Sequence, residues 1–401
     1  MEQFADYLKT RLKDPAYDYR QDSFLSFLKS PLRDFKESPT VKDYVRIEGS
    51  QLESMASTTF GRAEVEVDSD ADILLQNGFI SRAGNIEGLI IKNIGDQLNE
   101  IPLFVWGQKG KEREEFLINA AWSSGYYLEV EPEKDITVSL DSFCTHQSGS
   151  EKNVIVVGKM ARLNIAESRY STGEGKRMET QGKSIYFFME EGSTVNYNYL
   201  QDKGRNITDI TFIRSFQKKN SSFNIYHVNH GASKALFQNE SYQEGDASDY
   251  RVYGISFTDG DQQADIRDSS FEIGKNSSAD IQVRGVVTGA SSTIHRGNVD
   301  IELESINSTG FYDSRILLLS KEGYANSKPG LMIKNNSTRS KHGSAISNID
   351  SEQVLYLRSR GIGLKDAATL ITGGFVGSLI EKSNNQKFID IVNRFSEHLA
   401  I

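Results

Sequence analysis

The sequence predicts a mainly β protein with helical segments at both ends. Between about Glu64 and Lys334, short runs of β-branched and aromatic residues alternate with Gly, Asn, Ser and Asp, as successive strands and turns do. Before about Met55, and again after His342, apolar residues recur at the spacing of amphipathic helices. The 401 residues are enough for a large core.

The N-terminal region is predicted to be a small helical unit. Pro15 and Pro31 divide it, because proline removes an intrahelical hydrogen bond. The apolar positions with helical spacing are Phe4, Tyr7, Leu8 and Leu12, followed by Phe24, Leu25, Phe27 and Leu28.

The central region is predicted to form strands, most clearly at 154–157, 184–188, 209–213, 280–283 and 315–319. Two-residue turns typical of hairpins occur clearly only at Asn77-Gly78 and Asp259-Gly260. A β-sandwich would use many such turns, so a parallel β-helix, with stacked coils around inward Val, Ile and Leu, competes with it. No strict repeat period is visible, and periodicity alone leaves both architectures open.

The C-terminal region is predicted to begin with a His342-Gly343 turn and to continue as helices. Asp350 is expected to cap the first helix. The Gln353 side chain is expected to accept a hydrogen bond from the Asp350 backbone N–H in return, and Gly361 is expected to end the helix. Two further helices are predicted, at 364–380 with an interruption at Gly373-Gly374, and at 388–399.

Composition limits the classes of function. Fifty-five acidic and 46 basic residues give a net charge of −9, which argues against nucleic acid as the main partner. We see neither a signal segment nor an apolar run of the roughly 18 residues that a spanning helix needs, so we expect a cytoplasmic protein without a membrane partner. The single cysteine, Cys144, excludes an internal disulfide framework and a thiolate cage for metal.

Three local patterns are weak candidates for chemistry. Cys144 and His146 could bind a metal, but a small core cysteine beside an incidental histidine is the favoured interpretation. His227 and His230 are three apart, so on a strand they face opposite sides, and we interpret them as surface histidines. Residues 173–177 resemble a phosphate-binding loop, but the first glycine of that motif and the Ser/Thr after its lysine are missing. We therefore interpret the segment as an exposed turn.

The C-terminal part of the chain carries a set of ordered motifs: Val286-Val287, Gly297, Leu317 to Ser320, Ala325 to Ser327, Pro329, Leu331 to Ile333, His342-Gly343, Tyr356 to Gly361, Ala367 and Gly374-Phe375. Together these motifs resemble the SufB/SufD family, whose members build iron-sulfur clusters with an ABC-type ATPase, SufC. The resemblance implies a right-handed parallel β-helix at 61–345, between a helical N-terminal region at 1–60 and a helical C-terminal region at 346–401.

His342-Gly343 makes the chain resemble the SufD-like branch. SufB-like chains have a cysteine before a His-Glu-Ala form of this motif, whereas SufD-like chains have His-Gly. Many SufD-like chains also have a cysteine two residues before the histidine, and here Ser340 stands there. A hydroxyl is a poor ligand for iron or persulfide sulfur. Glu272 stands where related chains often have a histidine, so the role of that histidine is not expected here.

The resemblance implies a non-catalytic scaffold subunit, without a stably bound cofactor, that pairs with a SufB-like chain or with itself. It implies that His342 lies at this contact, where a transient iron-sulfur cluster forms and where His342 is a candidate iron ligand. The other interpretation of His342 is a turn histidine bonded to a carbonyl. The helices from 350 to 381 are implied to dock SufC, although the arginines among them could simply complement a helix dipole. The candidate docking residues are Tyr356, Arg358, Arg360, Gly361 and Phe375.

Two other functions are compatible with a β-helix. A carbohydrate-active enzyme would need clustered carboxylates or a basic residue in an aromatic-lined groove, and usually a secretion signal. A structural binding module would differ from the scaffold in not co-purifying with a SufC-type ATPase and a SufB-type chain.

Overall fold

Two parallel sheets face each other along the computed structural model, which describes residues 14–31, 45–62, 66–96, 98–108, 110–145, 147–171, 177–383 and 385–399. The chain passes from one sheet to the other and back about seven times. Helices precede these coils and follow them. The predicted parallel β-helix with helices at both ends is therefore confirmed, and the sandwich alternative is wrong.

From Tyr126 onwards, successive strands of the described residues alternate between the two sheets, and the edge strand at the N-terminal end of each sheet is antiparallel to its neighbour. Sheet A contains β1 (Ile73–Gln76), β2 (Phe79–Ala83), β5 (Asp135–Cys144), β7 (Arg162–Ser171), β9 (Thr194–Lys203), β11 (Ser222–Gly231), β13 (Asp249–Thr258), β15 (Ser278–Val287), β17 (Thr309–Leu318) and β19 (Arg339–Asn348). Sheet B contains β3 (Leu89–Asn93), β4 (Tyr126–Val130), β6 (Gly149–Val157), β8 (Glu179–Met189), β10 (Ile207–Gln217), β12 (Lys234–Gln243), β14 (Gln263–Glu272), β16 (Ser292–Ile301) and β18 (Tyr324–Ile333).

Side chains of successive coils stack in columns because parallel strands within a sheet pair in register. Ile225 pairs with Val252, and Val252 pairs with Ile281. All three are buried in the core between the sheets. Since side chains alternate between the two faces of a strand, every second residue of these strands lines the interior, and the residues between them form the outer face.

The two predicted hairpin turns have different outcomes. Asn77 and Gly78 have φ of 51° and 76° and join the antiparallel strands β1 and β2, so this hairpin is confirmed. The turn at Asp259-Gly260 also uses a positive φ, 59° at Gly260, but it leads from β13 in sheet A to β14 in sheet B. The hairpin predicted there is wrong, because the same turn chemistry makes a corner of the β-helix.

The described N-terminal helices cover the outer face of sheet B. They are α1 (Tyr17–Lys29), α2 (Gly49–Ser57) and α3 (Arg113–Ala121). Phe27, Met55 and Ile118 belong to one buried cluster with Ile210 and Phe212 of β10. The predicted helical positions Phe4, Tyr7, Leu8 and Leu12 lie outside the described residues.

The C-terminal helices are α4 (Ser351–Ser359), α5 (Leu364–Ile380) and α6 (Gln386–Leu399). Asp350 caps α4 by accepting a hydrogen bond of 2.9 Å from the Glu352 backbone N–H, and Gly361 follows the helix with φ of 86°. Both predictions are confirmed, whereas the return bond from Gln353 is not formed. Gly373-Gly374 does not interrupt α5, so that prediction is wrong.

Helices α5 and α6 pack on the outer face of sheet A. Val376, Leu379 and Phe388 contact a patch of outward apolar residues that includes Val228 and Ile255. This burial outweighs the roughly 1 kcal/mol by which each glycine weakens a helix. Helix α4, in contrast, has no buried residue. Among the described residues, no helix combines the length and apolar character needed to cross a membrane.

Candidate functional site

The last coil of the β-helix ends in two free strand edges. Strand β18 pairs with β16 and β19 pairs with β17, and no other described strand pairs with either. We call residues 324–333 and 339–348 the terminal face. Unpaired N–H and C=O groups along such an edge can pair with another chain. Large apolar side chains are also exposed there, namely Tyr324, Met332, Ile333 and Ile346.

His342 lies on this terminal face, in β19. It pairs with Tyr312 of β17, whose ring is buried in the core between the sheets. His342 therefore continues an interior column, yet it is exposed because no described coil follows. The predicted His-Gly turn is wrong, since residues 339–348 form a strand. The imidazole makes no hydrogen bond or ion pair with the described residues.

Ser340 and Glu272 have buried polar atoms near the terminal face. Neither the Ser340 hydroxyl nor the Glu272 carboxyl has a hydrogen-bond partner among the described residues. Burial raises the pKa of Glu272 to about 9, so the carboxyl is protonated at neutral pH. Gly310 pairs with Ser340, and a Cβ at this position would clash with Val299 Cγ1 and lie 3.0 Å from Glu272 Oε1, so the glycine leaves room for both neighbouring side chains.

The described part of the chain has no conventional metal-binding site. It contains no group of three or more His, Cys, Asp or Glu side chains arranged to hold a metal ion. The protonated Glu272 carboxyl is a weak ligand for a cation, and the Ser340 hydroxyl is a poor one for iron. His342 is thus the one strong donor that the terminal face offers, and its exposure allows a second molecule to reach it.

A second exposed surface lies between α4 and α5. We call this surface the helix groove; its volume is about 490 Å³. Leu355 and Tyr356 of α4 are 67% and 58% exposed. The mostly apolar lining consists of Ile349, Ser351, Glu352, Val354, Leu355, Arg358, Leu364 and Ala368.

The structure brings together some of the predicted docking residues and separates others. Arg358 lines the helix groove, and the Arg360 guanidinium lies 5.3 Å from the Tyr356 ring centroid. Gly361 ends the helix beside them. Phe375 instead packs against the buried cluster between α5 and sheet A, away from the helix groove residues given above.

The weaker candidates also have clear positions. Cys144 is buried, and burial raises the pKa of its thiol, as expected for a cysteine of the core. His146 and residues 173–176 lie outside the described residues.

The interpretation of His227 as a surface residue is wrong. His227 Nε2 lies 3.2 Å from the Asp268 carboxylate inside the β-helix, whereas His230 lies on the outer side, with its ring 4.1 Å from that of Phe395.

Comparison with known proteins adds the decisive observation. Residues 142–375 match the family model described as SUF system FeS cluster assembly, SufBD core domain. The chain belongs to the SufBD family. The matched range begins in β5 and ends in α5, so it includes the terminal face and His342.

Named relatives agree with the SufBD assignment. The chain is 23% identical over 275 residues to the SufBD family protein ycf24 of Porphyra purpurea, covering 65% of this chain and 55% of the relative. It is 30% identical over 131 residues to ycf24 of Galdieria sulphuraria, covering 33% and 59%. It is 21% identical over 268 residues to a SufBD family protein of Staphylococcus epidermidis, covering 65% and 57%. The chain spans about half the length of the curated relatives it matches.

Proposed function

We propose that this SufBD family protein is a SufD-like, non-catalytic scaffold subunit of a cytoplasmic iron-sulfur cluster assembly complex. The observation that carries the proposal is the terminal face, where exposed apolar side chains occur together with two strand edges and a His342 imidazole that have no partner in the described part of the chain. A separate apolar surface, the helix groove, supplies the second contact that a scaffold between two partners needs.

The terminal face is proposed to pair with a SufB-like chain, or with a second copy of this chain. Strand edges give backbone hydrogen bonds to a partner strand, and side chains such as Met332 and Ile346 supply apolar area. A partner seated there would surround His342 and exclude water from it. In this arrangement His342 donates to iron in a cluster whose sulfur ligands come from the partner or from the cluster itself.

Replacing His342 by Ala is expected to lower the yield of clusters assembled by the complete complex about tenfold, because one imidazole donor to iron is lost. The yield is measured from the iron-sulfide absorbance of the purified complex after reconstitution. Assembly of the subunits, followed by gel filtration, should be unchanged. Ser347→Ala, at another exposed position of β19, is the matched control, and a wild-type yield from an intact His342→Ala complex would remove the role of His342.

The helix groove is proposed to receive the SufC-type ATPase. Its apolar lining and exposed Leu355 suit an inserted apolar side chain, and Arg358 at the rim can contact an acidic group. ATP-driven dimerisation of two ATPase subunits would then pull on α4 and α5 and, through the cluster that α5 buries against sheet A, act on the β-helix.

Replacing Leu355 by Asp is expected to weaken ATPase binding about tenfold to hundredfold, because it removes a side chain whose burial stabilises a contact by about 1.5–3 kcal/mol and adds a charge. Isothermal calorimetry with the purified ATPase measures the affinity. Leu28→Asp is the matched control, since Leu28 of α1 is also 56% exposed but lies on the sheet B side. Equal affinities of wild type and Leu355→Asp would rule out the groove.

Point substitutions are preferable to deleting the chain after Arg360. Such a deletion would remove Val376, Leu379 and Phe388 from the buried cluster on sheet A. The exposed apolar face left behind would destabilise the β-helix itself. Lost binding would then report unfolding as readily as the loss of a docking surface.

A further inference from the structure

We propose that the outer face of sheet A beside β19 binds a small oxyanion, through a phosphate or carboxylate group held by Arg284 and Arg315. The site is a groove of about 730 Å³ that runs across β13, β15, β17 and β19; we call it the arginine groove. It is distinct from the helix groove, whereas Lys341, His342 and Gly343 belong both to its lining and to the terminal face. The inference does not depend on the proposed scaffold role.

Two arginines of this groove share a single carboxylate oxygen. Arg284 and Arg315 are direct neighbours in the register of β15 and β17. Arg284 Nη1 lies 2.9 Å from Asp313 Oδ2, and Arg315 Nε lies 3.2 Å from the same atom. The single negative charge of Asp313 therefore faces two positive charges, which leaves a net charge of +1 on these three side chains. Like charges on adjacent strands repel each other, so an additional anion would stabilise the pair.

Much of the hydrogen-bonding capacity of these arginines is unused. Arg284 is 9% exposed at its side chain and also donates to the Val283 carbonyl over 3.0 Å. Arg315 is 56% exposed, and its ion pair with Asp313 is the one polar contact that it makes with the described residues. A guanidinium has five N–H donors in a planar fork. Free donors thus remain on both side chains, at the wall and at the opening of the groove.

The terminal strand leaves the arginines uncovered. Gly343 and Ala345 of β19 pair with Asp313 and Arg315, so the residues that would overlie the ion pair are the two smallest available. A Cβ added to Gly343 would already lie 3.5 Å from Asp313 Oδ1, and a longer side chain would cover the arginine pair. The small residues therefore keep open a space that a ligand can enter.

The surrounding charges favour an anion over a cation. Arg251, Arg284, Arg315 and Lys341 line the groove together with Asp249, Asp280 and Asp313, which leaves one net positive charge in a chain whose net charge is −9. Arg251 has its own partner, with Nη2 3.0 Å from Asp249. Burial lowers the pKa of Arg284, and Asp313 opposes this effect, so a further negative charge near Arg284 is electrostatically favourable. Forked contacts to phosphate or carboxylate oxygens are the strongest that arginine makes.

Titration of the purified chain with inorganic phosphate, and separately with citrate, at constant ionic strength and pH 7 tests the site. We expect saturable calorimetric binding of at least one of the two probes. Binding of phosphate alone would assign a phosphate ligand, and tighter binding of citrate would assign a carboxylate ligand. Heats of dilution alone from both probes at 10 mM would overturn the proposal.

Three variants separate the site from general charge attraction. Arg315→Gln should weaken binding about tenfold or more, since the exposed fork is lost, and Asp313→Asn should tighten it, since the competing carboxylate is removed. Arg251→Gln removes the same charge elsewhere in the groove and should change the affinity less than about twofold. Equal losses of anion affinity in Arg315→Gln and Arg251→Gln would overturn the assignment of the site to Arg284 and Arg315. Arg315 is exposed enough for Arg315→Gln to fold, and the melting temperature checks this.

Discussion

Replacing Arg169 by Met is expected to lower the free energy of unfolding by about 3–5 kcal/mol, because it leaves two buried carboxylates without their cation. Arg169 Nη1 lies 2.7 Å from Glu151 Oε1, and its Nε lies 2.5 Å from Glu167 Oε1. All three side chains are buried between the sheets. Burial alone would raise the pKa of Glu151, but Arg169 and the nearby lysines hold it below its ordinary value.

Urea unfolding followed by circular dichroism measures this effect. Arg162→Met is the control, since Arg162 lies on the same strand with a side chain 54% exposed and 3.9 Å from Asp135, and it should change stability by less than about 1 kcal/mol. Changing Glu151 and Glu167 to Gln together with Arg169→Met should restore much of the loss. If Arg169→Met alone unfolds at the wild-type urea concentration, the carboxylates are not held ionised by Arg169.

The β-helix was hard to derive from the sequence because its corners do not repeat chemically. From β5 onwards, most sheet A strands in the described residues begin two positions after a residue with φ near +60°. The amino acid at this position changes from coil to coil, and the number of residues between successive positions also changes. A buried serine follows it at several coils, and the Asn-Ser pairs at 220–221, 276–277 and 307–308 were the usable signal. The left-handed residues are Glu133, Met160, Gly192, Asn220, Ala247, Asn276 and Asn307.

The sequence also did not show that charged residues lie inside the β-helix. The sequence predicts a ladder of inward Val, Ile and Leu, and the core between the sheets contains one. The same interior also holds ion pairs, such as Lys183 with Asp209 at 2.8 Å. Period-two alternation shows that two faces exist but does not say which is buried. Charged residues such as Arg169 were therefore not recognised as interior.

Some local motifs were predictable, and sites assembled from several coils were not. The Asp350 cap and the Gly361 stop depend on a few neighbouring residues, so the sequence was sufficient for them. The His342-Gly343 turn was predicted in the same way and is wrong, because pairing with the preceding coil makes residues 339–348 a strand. Arg284 and Arg315 are neighbours only because β15 and β17 pair in register. Without a visible repeat period, nothing in the sequence aligns these two positions, and the arginine groove could not be anticipated.

Replacing Glu272 by Gln is expected to raise the free energy of unfolding at pH 8 by an amount on the order of 4 kcal/mol. Burial raises the pKa of this carboxyl from 4.5 to about 9. Between these pH values the folded protein keeps a proton that the unfolded chain has lost, so the contribution of Glu272 to stability is fully present below about pH 4.5 and is lost progressively as the pH rises to about 9. A glutamine has no proton to lose, and its stability should not decline in this way.

The measurement is urea unfolding of both proteins from pH 5 to pH 8, compared as a difference at each pH. Burial also lowers the pKa of Lys152 to about 7, which makes stability rise with pH above 7, but Lys152 is present in both proteins and cancels in the difference. Glu302→Gln, at a half-exposed position paired with Lys334, should leave the pH dependence almost unchanged. Parallel curves for wild type and Glu272→Gln would mean that burial does not raise the pKa of Glu272, and would contradict the prediction.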